Sequence, residues 1–115
     1  MSYLLLIVEP LEQRRERSPE EGRGVYQRML DYSESLKAKG LLTASNSLRS
    51  AATRLQRRAG RQSVTDGPFT EAKELVGGFF LLDCATREQA LECAAQCPAA
   101  EWATIEVREV GPCYE

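Results

Sequence analysis

The sequence contains no histidine, which removes the residue most often used for proton transfer near neutral pH. It also lacks a long apolar run. The longest uncharged apolar stretch near the start extends from Tyr3 to Val8, and it is far too short to cross a membrane. No basic prefix or cleavage site of a signal peptide accompanies it. We therefore expect a cytoplasmic protein that has no membrane partner.

The sequence also has no large excess of charge of either sign. The 115 residues carry 15 basic and 17 acidic side chains, so the net charge of −2 gives no overall attraction to nucleic acid or to a membrane. The cysteines are Cys84, Cys93, Cys97 and Cys113. Without a secretion signal we expect free thiols. Cys93 and Cys97 are four residues apart, but no histidine or CxxC motif completes a zinc shell, and we predict neither a metal nor a cofactor.

The pattern of apolar residues predicts one domain over residues 1–115. A first strand is expected from Ser2 to Glu9, followed by a charged, solvated loop from Pro10 to Arg17. Ser18-Pro19-Glu20-Glu21 has the form of a capping box and predicts a helix start, and Gly40 predicts its end. The inward face of this helix is expected to carry Val25, Met29, Tyr32 and Leu36.

The second half of the chain predicts strands, a hairpin and one more helix. We expect an edge strand from Leu41 to Leu48 and a hairpin over residues 53–65 that turns at Ala59-Gly60. A further strand is expected from Phe79 to Asp83. Thr86 and Gln89 predict a helix start, and the inner face of that helix is expected to hold Ala90, Leu91, Ala94 and Ala95. A last strand, half exposed, includes Ile105 and Val107.

This order predicts an α+β protein of the ferredoxin-like βαββαβ type with an inserted β-hairpin, in which the first and third strands are central. Tyr3–Val8 and Phe79–Leu82 are apolar on both faces, whereas two helices can cover only one face. A second copy of the sheet is the simplest cover, so we predict a homodimer through the sheet faces. The alternative is a hairpin folded back within one chain, but five arginines between residues 49 and 62 make it a poor lid.

The segment from Thr65 to Glu74, with Gly77-Gly78-Phe79 after it, is the most distinctive in the sequence. Asp66-Gly67-Pro68 predicts a tight turn, Thr70 could cap a short helical turn, and Gly77-Gly78 would permit a close backbone approach. Carboxylates beside a lysine in a cleft can act as acids, bases or anion ligands. We predict Asp66, Lys73 and Glu74 as catalytic residues and Phe69, Glu71, Gly77 and Gly78 as ligand-binding residues. The alternative is a structural turn followed by solvated charges.

With these motifs the chain resembles the DGPF-domain proteins, a branch of the YCII-related family, over nearly its whole length. The resemblance implies a dimeric α/β barrel of ferredoxin-like subunits. Some members are encoded beside extracytoplasmic-function sigma factors, which suggests a link to transcriptional control. Better-studied YCII relatives carry a histidine and an aspartate proposed as an acid–base pair. That mechanism is excluded here because this chain has no histidine, so proton transfer would need carboxylates, Lys73, a tyrosine or water.

Two functional hypotheses follow, and the sequence leaves open whether the chain is an enzyme. The first is a small-molecule-binding protein, which could be a cofactor-independent enzyme with carboxylate and lysine chemistry near residues 66–78. The second is a non-catalytic interaction module linked to transcriptional regulation, docking through an arginine-rich hairpin or the dimer rim. That hairpin carries no interleaved aromatics, which argues against nucleic acid as a partner. Its basic residues are Arg49, Arg54, Arg57, Arg58 and Arg61.

Overall fold

The computed structural model describes residues 1–114. It contains six strands, three helices and one 3₁₀ turn at Pro98–Glu101. The strands are β1 (Ser2–Pro10), β2 (Leu42–Ser47), β3 (Thr53–Arg58), β4 (Arg61–Asp66), β5 (Glu74–Asp83) and β6 (Thr104–Glu109). The helices are α1 (Gln13–Glu16), α2 (Pro19–Ala38) and α3 (Arg87–Gln96). The predicted α+β class is confirmed. None of the helices among the described residues has the length and apolar character needed to cross a membrane.

The main sheet has four antiparallel strands in the order β2-β5-β1-β6. The two strands that are apolar on both faces therefore lie in the centre, as predicted. β5 begins at Glu74 rather than at Phe79, because pairing with β1 continues past a bulge. Ile7 pairs with Gly78 and Val8 with Val76, which leaves Gly77 as the extra residue.

The predicted helix signals at the ends of α2 and α3 are confirmed. Ser18 and Glu21 form a reciprocal capping box at the start of α2. Gly40 follows α2 with φ +73°, a conformation that favours glycine. Thr86 caps α3 by accepting a hydrogen bond from the Gln89 N–H, although the Gln89 side chain accepts from Ala85 N–H instead of from the cap residue.

Both long helices cover one face of the sheet. Tyr3 and Leu5 of β1 are buried on this face, together with Phe80 and Leu82 of β5. From α2, Tyr32 and Leu36 pack into the same core, as the helical spacing predicted. The inner face of α3 differs from the prediction: it holds Ala90, Cys93 and Ala94, whereas Leu91 and Ala95 are exposed. Cys93 takes their place because α3 is rotated about its axis relative to the expected stripe.

The other face of the sheet is not covered by a helix. Leu4 pairs with Leu81, and Leu6 pairs with Phe79, so these four side chains share this face. All four are only partly buried. Val76, beside them on β5, is 41 % exposed. An apolar surface of this kind needs a partner or remains a site of association.

The β3–β4 hairpin forms a separate two-stranded sheet, and every residue of its strands is exposed. It turns at Ala59-Gly60 as predicted, with positive φ at both residues. Its cross-strand pair Leu55–Val64 is solvent-exposed. The hairpin therefore does not cover the open sheet face, and the single-chain alternative is wrong.

Candidate functional site

A cavity of about 410 Å³ lies between the N-terminal half of α2 and the sheet. It exists because α2 seats on the sheet only through its C-terminal half, where Tyr32 and Leu36 are buried. The earlier residues of the same apolar stripe, Val25 and Met29, are half-buried and line the cavity. Further apolar walls come from Ile7, Phe80 and Trp102.

Glu9 forms the floor of the cavity. Side chains alternate between the faces of β1, so the inward series Tyr3, Leu5 and Ile7 continues to Glu9. Glu9 is 4 % exposed and is the only buried charged residue in the part of the chain that the structure describes. A buried carboxylate requires a partner, because leaving water costs an unpaired charge several kcal/mol.

Arg14 of α1 provides that partner. Its Nε and Nη2 donate to Glu9 Oε1 at 3.1 and 2.7 Å. Nη2 also donates to the Gly77 carbonyl at 3.0 Å, and Nη1 to the Leu48 carbonyl at 2.6 Å. One guanidinium thus connects β1, the residue that follows β2 and the bulge in β5. The prediction of a merely solvated loop from Pro10 to Arg17 is wrong, because the loop contains α1 and sends Arg14 inward.

The predicted close approach at Gly77-Gly78 is confirmed. A Cβ on Gly77 would lie 1.7 Å from Glu9 Oε1, and one on Gly78 would lie 2.9 Å from the Asn46 carbonyl. Both glycines are buried and line the cavity. The absence of a side chain at Gly77 is therefore what allows the Glu9 carboxylate to lie across the bulge in β5.

Trp102, the only tryptophan of the chain, forms part of the cavity wall after the 3₁₀ turn. The guanidinium carbons of Arg17 and Arg28 lie 5.6 and 5.2 Å from its ring centroid, within range of cation–π attraction. Its carbonyl accepts a hydrogen bond from Gln13 of α1. The contact between Trp102 and α1 could not be predicted from the sequence, because Gln13 and Trp102 are far apart in the chain.

Asp66, Phe69, Glu71, Lys73 and Glu74 do not line this cavity. Asp66 is exposed and accepts a hydrogen bond from the Thr53 hydroxyl at 2.7 Å. Phe69 is half-buried beneath the Arg54 guanidinium, 3.7 Å from its ring centroid. Only Gly77 and Gly78 of the predicted site residues reach the cavity.

The segment around Glu71 forms one turn, where the sequence predicts a short helical turn capped by Thr70. Ala72 N–H donates to the Phe69 carbonyl, but no helix forms because Glu74 already belongs to β5. Glu71 forms an ion pair with Arg54, and the pKa of its carboxyl is lowered by a hydrogen bond from its own backbone and by Arg54. Lys73 and Glu74 are exposed, and neither forms an ion pair within residues 1–114.

A separate cluster of thiols lies beneath α3. Cys84, Cys93 and Cys97 are buried, Cys113 is exposed, and all four are free. Desolvation by burial raises the pKa of the Cys84 and Cys97 thiols and of the Tyr32 hydroxyl. The Tyr32 hydroxyl donates a hydrogen bond to the Cys93 carbonyl. Raised thiol pKa values favour the inert, protonated form. Within the described residues, no three Cys, Asp or Glu side chains meet in a metal-binding group.

The chain belongs to the YCII-related family, whose domain model matches residues 1–113. An uncharacterised protein of Rhizobium meliloti (strain 1021) is 50 % identical over 44 residues, which are 38 % of this chain and 36 % of that protein. The aligned segment thus spans about a third of that relative. A similar solved structure is a 5-chloro-2-hydroxyhydroquinone dehydrochlorinase, TftG, of Burkholderia phenoliruptrix in complex with 2,5-dihydroxybenzoquinone. Its TM-score is 0.54 at 17 % identity, covering 96 % of this chain and 94 % of that one. At this identity the likeness shows the fold alone.

Proposed function

We propose that this YCII-related protein binds a small molecule in the cavity between α2 and the sheet. The observation that carries the proposal is a buried carboxylate, Glu9, on the floor of a largely apolar cavity of about 410 Å³. Small-molecule sites are commonly concave spaces of roughly 300–1,000 Å³ with few polar groups among apolar walls. The complex of TftG with 2,5-dihydroxybenzoquinone supports a ligand of modest size for this fold.

A thermal-shift screen against small metabolites tests this proposal, because a ligand that binds only the folded state must raise its apparent stability. Val25→Trp tests whether the ligand binds in the cavity, because the larger side chain adds volume at the cavity wall. We expect the variant to fold and to lose the thermal shift produced by any hit. Tyr114→Trp at the exposed C-terminal end is the matched control and should keep the shift. A hit that still binds Val25→Trp would contradict the cavity as the binding site.

A separate proposal concerns the loop at residues 66–74, outside the cavity lining: a cofactor-independent reaction in which Asp66, Lys73 and Glu74 take part. Support comes from the backbone: Leu11 N–H donates to the Lys73 carbonyl at 3.0 Å, which ties this loop to the segment that carries Arg14. If Lys73 holds a ligand, Lys73→Ala should leave the melting temperature of the free protein nearly unchanged and abolish the ligand shift. Unchanged affinity of a confirmed ligand for both Lys73→Ala and Glu74→Gln would assign this loop a structural role. No comparison supports the alternative of a regulatory interaction module.

We further propose that two ferredoxin-like subunits associate through their open sheet faces as a dimeric α/β barrel. The support is the uncovered apolar surface around Leu4, Leu6, Phe79 and Leu81. We also propose that the chain belongs to the DGPF branch of the family, because it carries the Asp66–Phe69 motif.

Sedimentation of Leu81→Glu tests the interface, because a charge on this face should convert a dimer into a monomer. Leu55→Glu is the matched control, since Leu55 is 60 % exposed on the hairpin and lies outside the proposed interface. A folded Leu81→Glu variant that sediments like the parent at every concentration would refute association through this face.

A further inference from the structure

Among residues 1–114, no group donates a hydrogen bond to the second carboxylate oxygen of Glu9. Both hydrogen bonds that the Glu9 carboxylate accepts, from Arg14, go to Oε1. Within residues 1–114, the only fully buried side-chain oxygen or nitrogen without a hydrogen-bond partner is Gln13 Oε1. Glu9 Oε2 must therefore be accessible, although the residue is only 4 % exposed. Glu9 lines the cavity, which offers a route to this oxygen.

Ser33, Ser45 and Arg14, which also line the cavity, are engaged within the protein. The hydroxyls of Ser33 and Ser45 lie 3.3 Å apart and bond to each other. Arg14 makes two bonds to Glu9 and one each to two carbonyls. Glu9 Oε2 is the carboxylate oxygen at the floor that a bound molecule can satisfy, and it lies among apolar walls that include Met29 and Phe80.

We propose that the cavity selects uncharged, largely aromatic molecules that carry a hydroxyl or amino group, which donates a hydrogen bond to Glu9 Oε2. This inference rests on the proposed function of the same cavity. The Glu9–Arg14 pair is neutral as a unit, so neither a cationic nor an anionic ligand finds a compensating charge at the floor. Arg17 also lies on the lining and would attract an anion at the wall, but an anion that reaches the floor faces Oε2 directly, and a cation there lies near Arg14. A neutral donor meets neither penalty.

Five probes of one ring size test this selection: toluene, phenol, aniline, acetophenone and benzoate. Fluorescence of Trp102 reports binding, because it is the only tryptophan and lines the cavity. For the parent protein we expect phenol and aniline to bind about 10-fold more tightly than toluene, as a hydrogen bond to a charged acceptor provides. Benzoate should bind most weakly.

Glu9→Gln reverses the polarity of the floor. Its amide oxygen can keep the bonds from Arg14, and its NH₂ group then replaces the acceptor oxygen Oε2 with a donor. We expect aniline to lose its advantage over toluene and acetophenone, which only accepts hydrogen bonds, to gain about 10-fold. Glu12→Gln is the matched control because Glu12 is exposed on the neighbouring turn and does not line the cavity. It should keep the parent's order of affinities.

The outcomes separate this inference from the proposed function. Equal affinity for toluene, phenol and aniline would overturn the donor selection while leaving a functional cavity. Tightest binding of benzoate would also overturn it and would assign an anion site instead. If no probe perturbs Trp102 up to its solubility limit, the cavity itself fails as a binding site. Should Glu9→Gln not fold, the order of affinities in the parent still decides.

Discussion

Two ion pairs of the same chemistry occupy opposite environments in this molecule. Glu9 and Arg14 lie on the cavity floor, where the Glu9 side chain is 6 % exposed and the Arg14 side chain 34 %. Glu71 and Arg54 lie in the loop after the hairpin, with side chains 67 % and 47 % exposed. Surface pairs add little stability because water screens them, whereas breaking a buried pair leaves an uncompensated charge. The charged residues around Glu71, which stand out in the sequence, are therefore held less tightly by the fold than Glu9 and Arg14 are.

The largest expected effect comes from removing the cation of the buried pair. Arg14→Met should lower the free energy of unfolding by about 2–4 kcal/mol, toward the low end for buried pairs because Arg14 is partly exposed. Arg54→Met, the matched change in the exposed pair, should cost less than about 1 kcal/mol. Urea unfolding at neutral pH measures both. Equal losses in the two variants would contradict the distinction between the regions.

The next largest effect is expected at the bulge beneath Glu9. Gly77→Ala places a methyl group where the Glu9 carboxylate now lies, so the carboxylate or the strand must move, at about 1–3 kcal/mol. Gly24→Ala in α2 is the control, because nothing lies within 4 Å of a Cβ there and alanine favours helix by about 0.5–1 kcal/mol. The two substitutions should shift the melting temperature in opposite directions. A shift in the same direction would argue against close contact at Gly77.

A smaller effect is expected from the turn of the exposed loop. Asp66→Ala removes the acceptor of the Thr53 hydroxyl and should cost about 0.5–1.5 kcal/mol. Thr53→Val removes the same bond from the other side, so the double variant should cost less than the sum of the two single changes. Strict additivity in this cycle would mean that the two side chains do not interact.

The smallest effect is a pH dependence at Glu71. Its pKa is lowered in the folded protein relative to the usual 4.5, so the ionised carboxylate contributes stability above that value and loses it as the pH falls through the folded pKa. Glu71→Gln should therefore melt slightly below the parent at neutral pH, and the difference should vanish in acid. Melting curves across this range measure it. A difference that grows in acid would have the wrong sign.

Much of the fold could be predicted because local rules and long-range packing agree. The capping box at Ser18, the stop at Gly40 and the central position of the two apolar strands follow from the sequence. The start of β5 was placed five residues late, because a bulge at Gly77 is visible only once β1 is paired with it. The inner face of α3 could not be predicted because Leu91 is apolar but exposed, while Cys93 is buried. Periodicity alone does not orient a helix whose other apolar residues are all small.

The site was harder to predict than the fold. The alternation along β1 already places Glu9 on the same face as Leu5 and Ile7, and an acidic residue at an inward position was the available signal. Its partner could not be found in the same way, because Arg14 is one of several charges in a segment without periodicity. The sequence predicts a close backbone approach at Gly77 and Gly78. It does not show that the Glu9 side chain is the group that contacts Gly77.

The Gly77 carbonyl, which accepts from both Leu48 N–H and Arg14, makes three chain segments depend on one peptide group. Release of α1 would break the Arg14 contacts with β2 and β5 together, and with them the Leu11 bond to the Lys73 carbonyl. The rim of the cavity should therefore open as one cooperative unit. In amide hydrogen exchange, Leu11 and Leu48 would then show a common opening free energy, lower than that of the core strands.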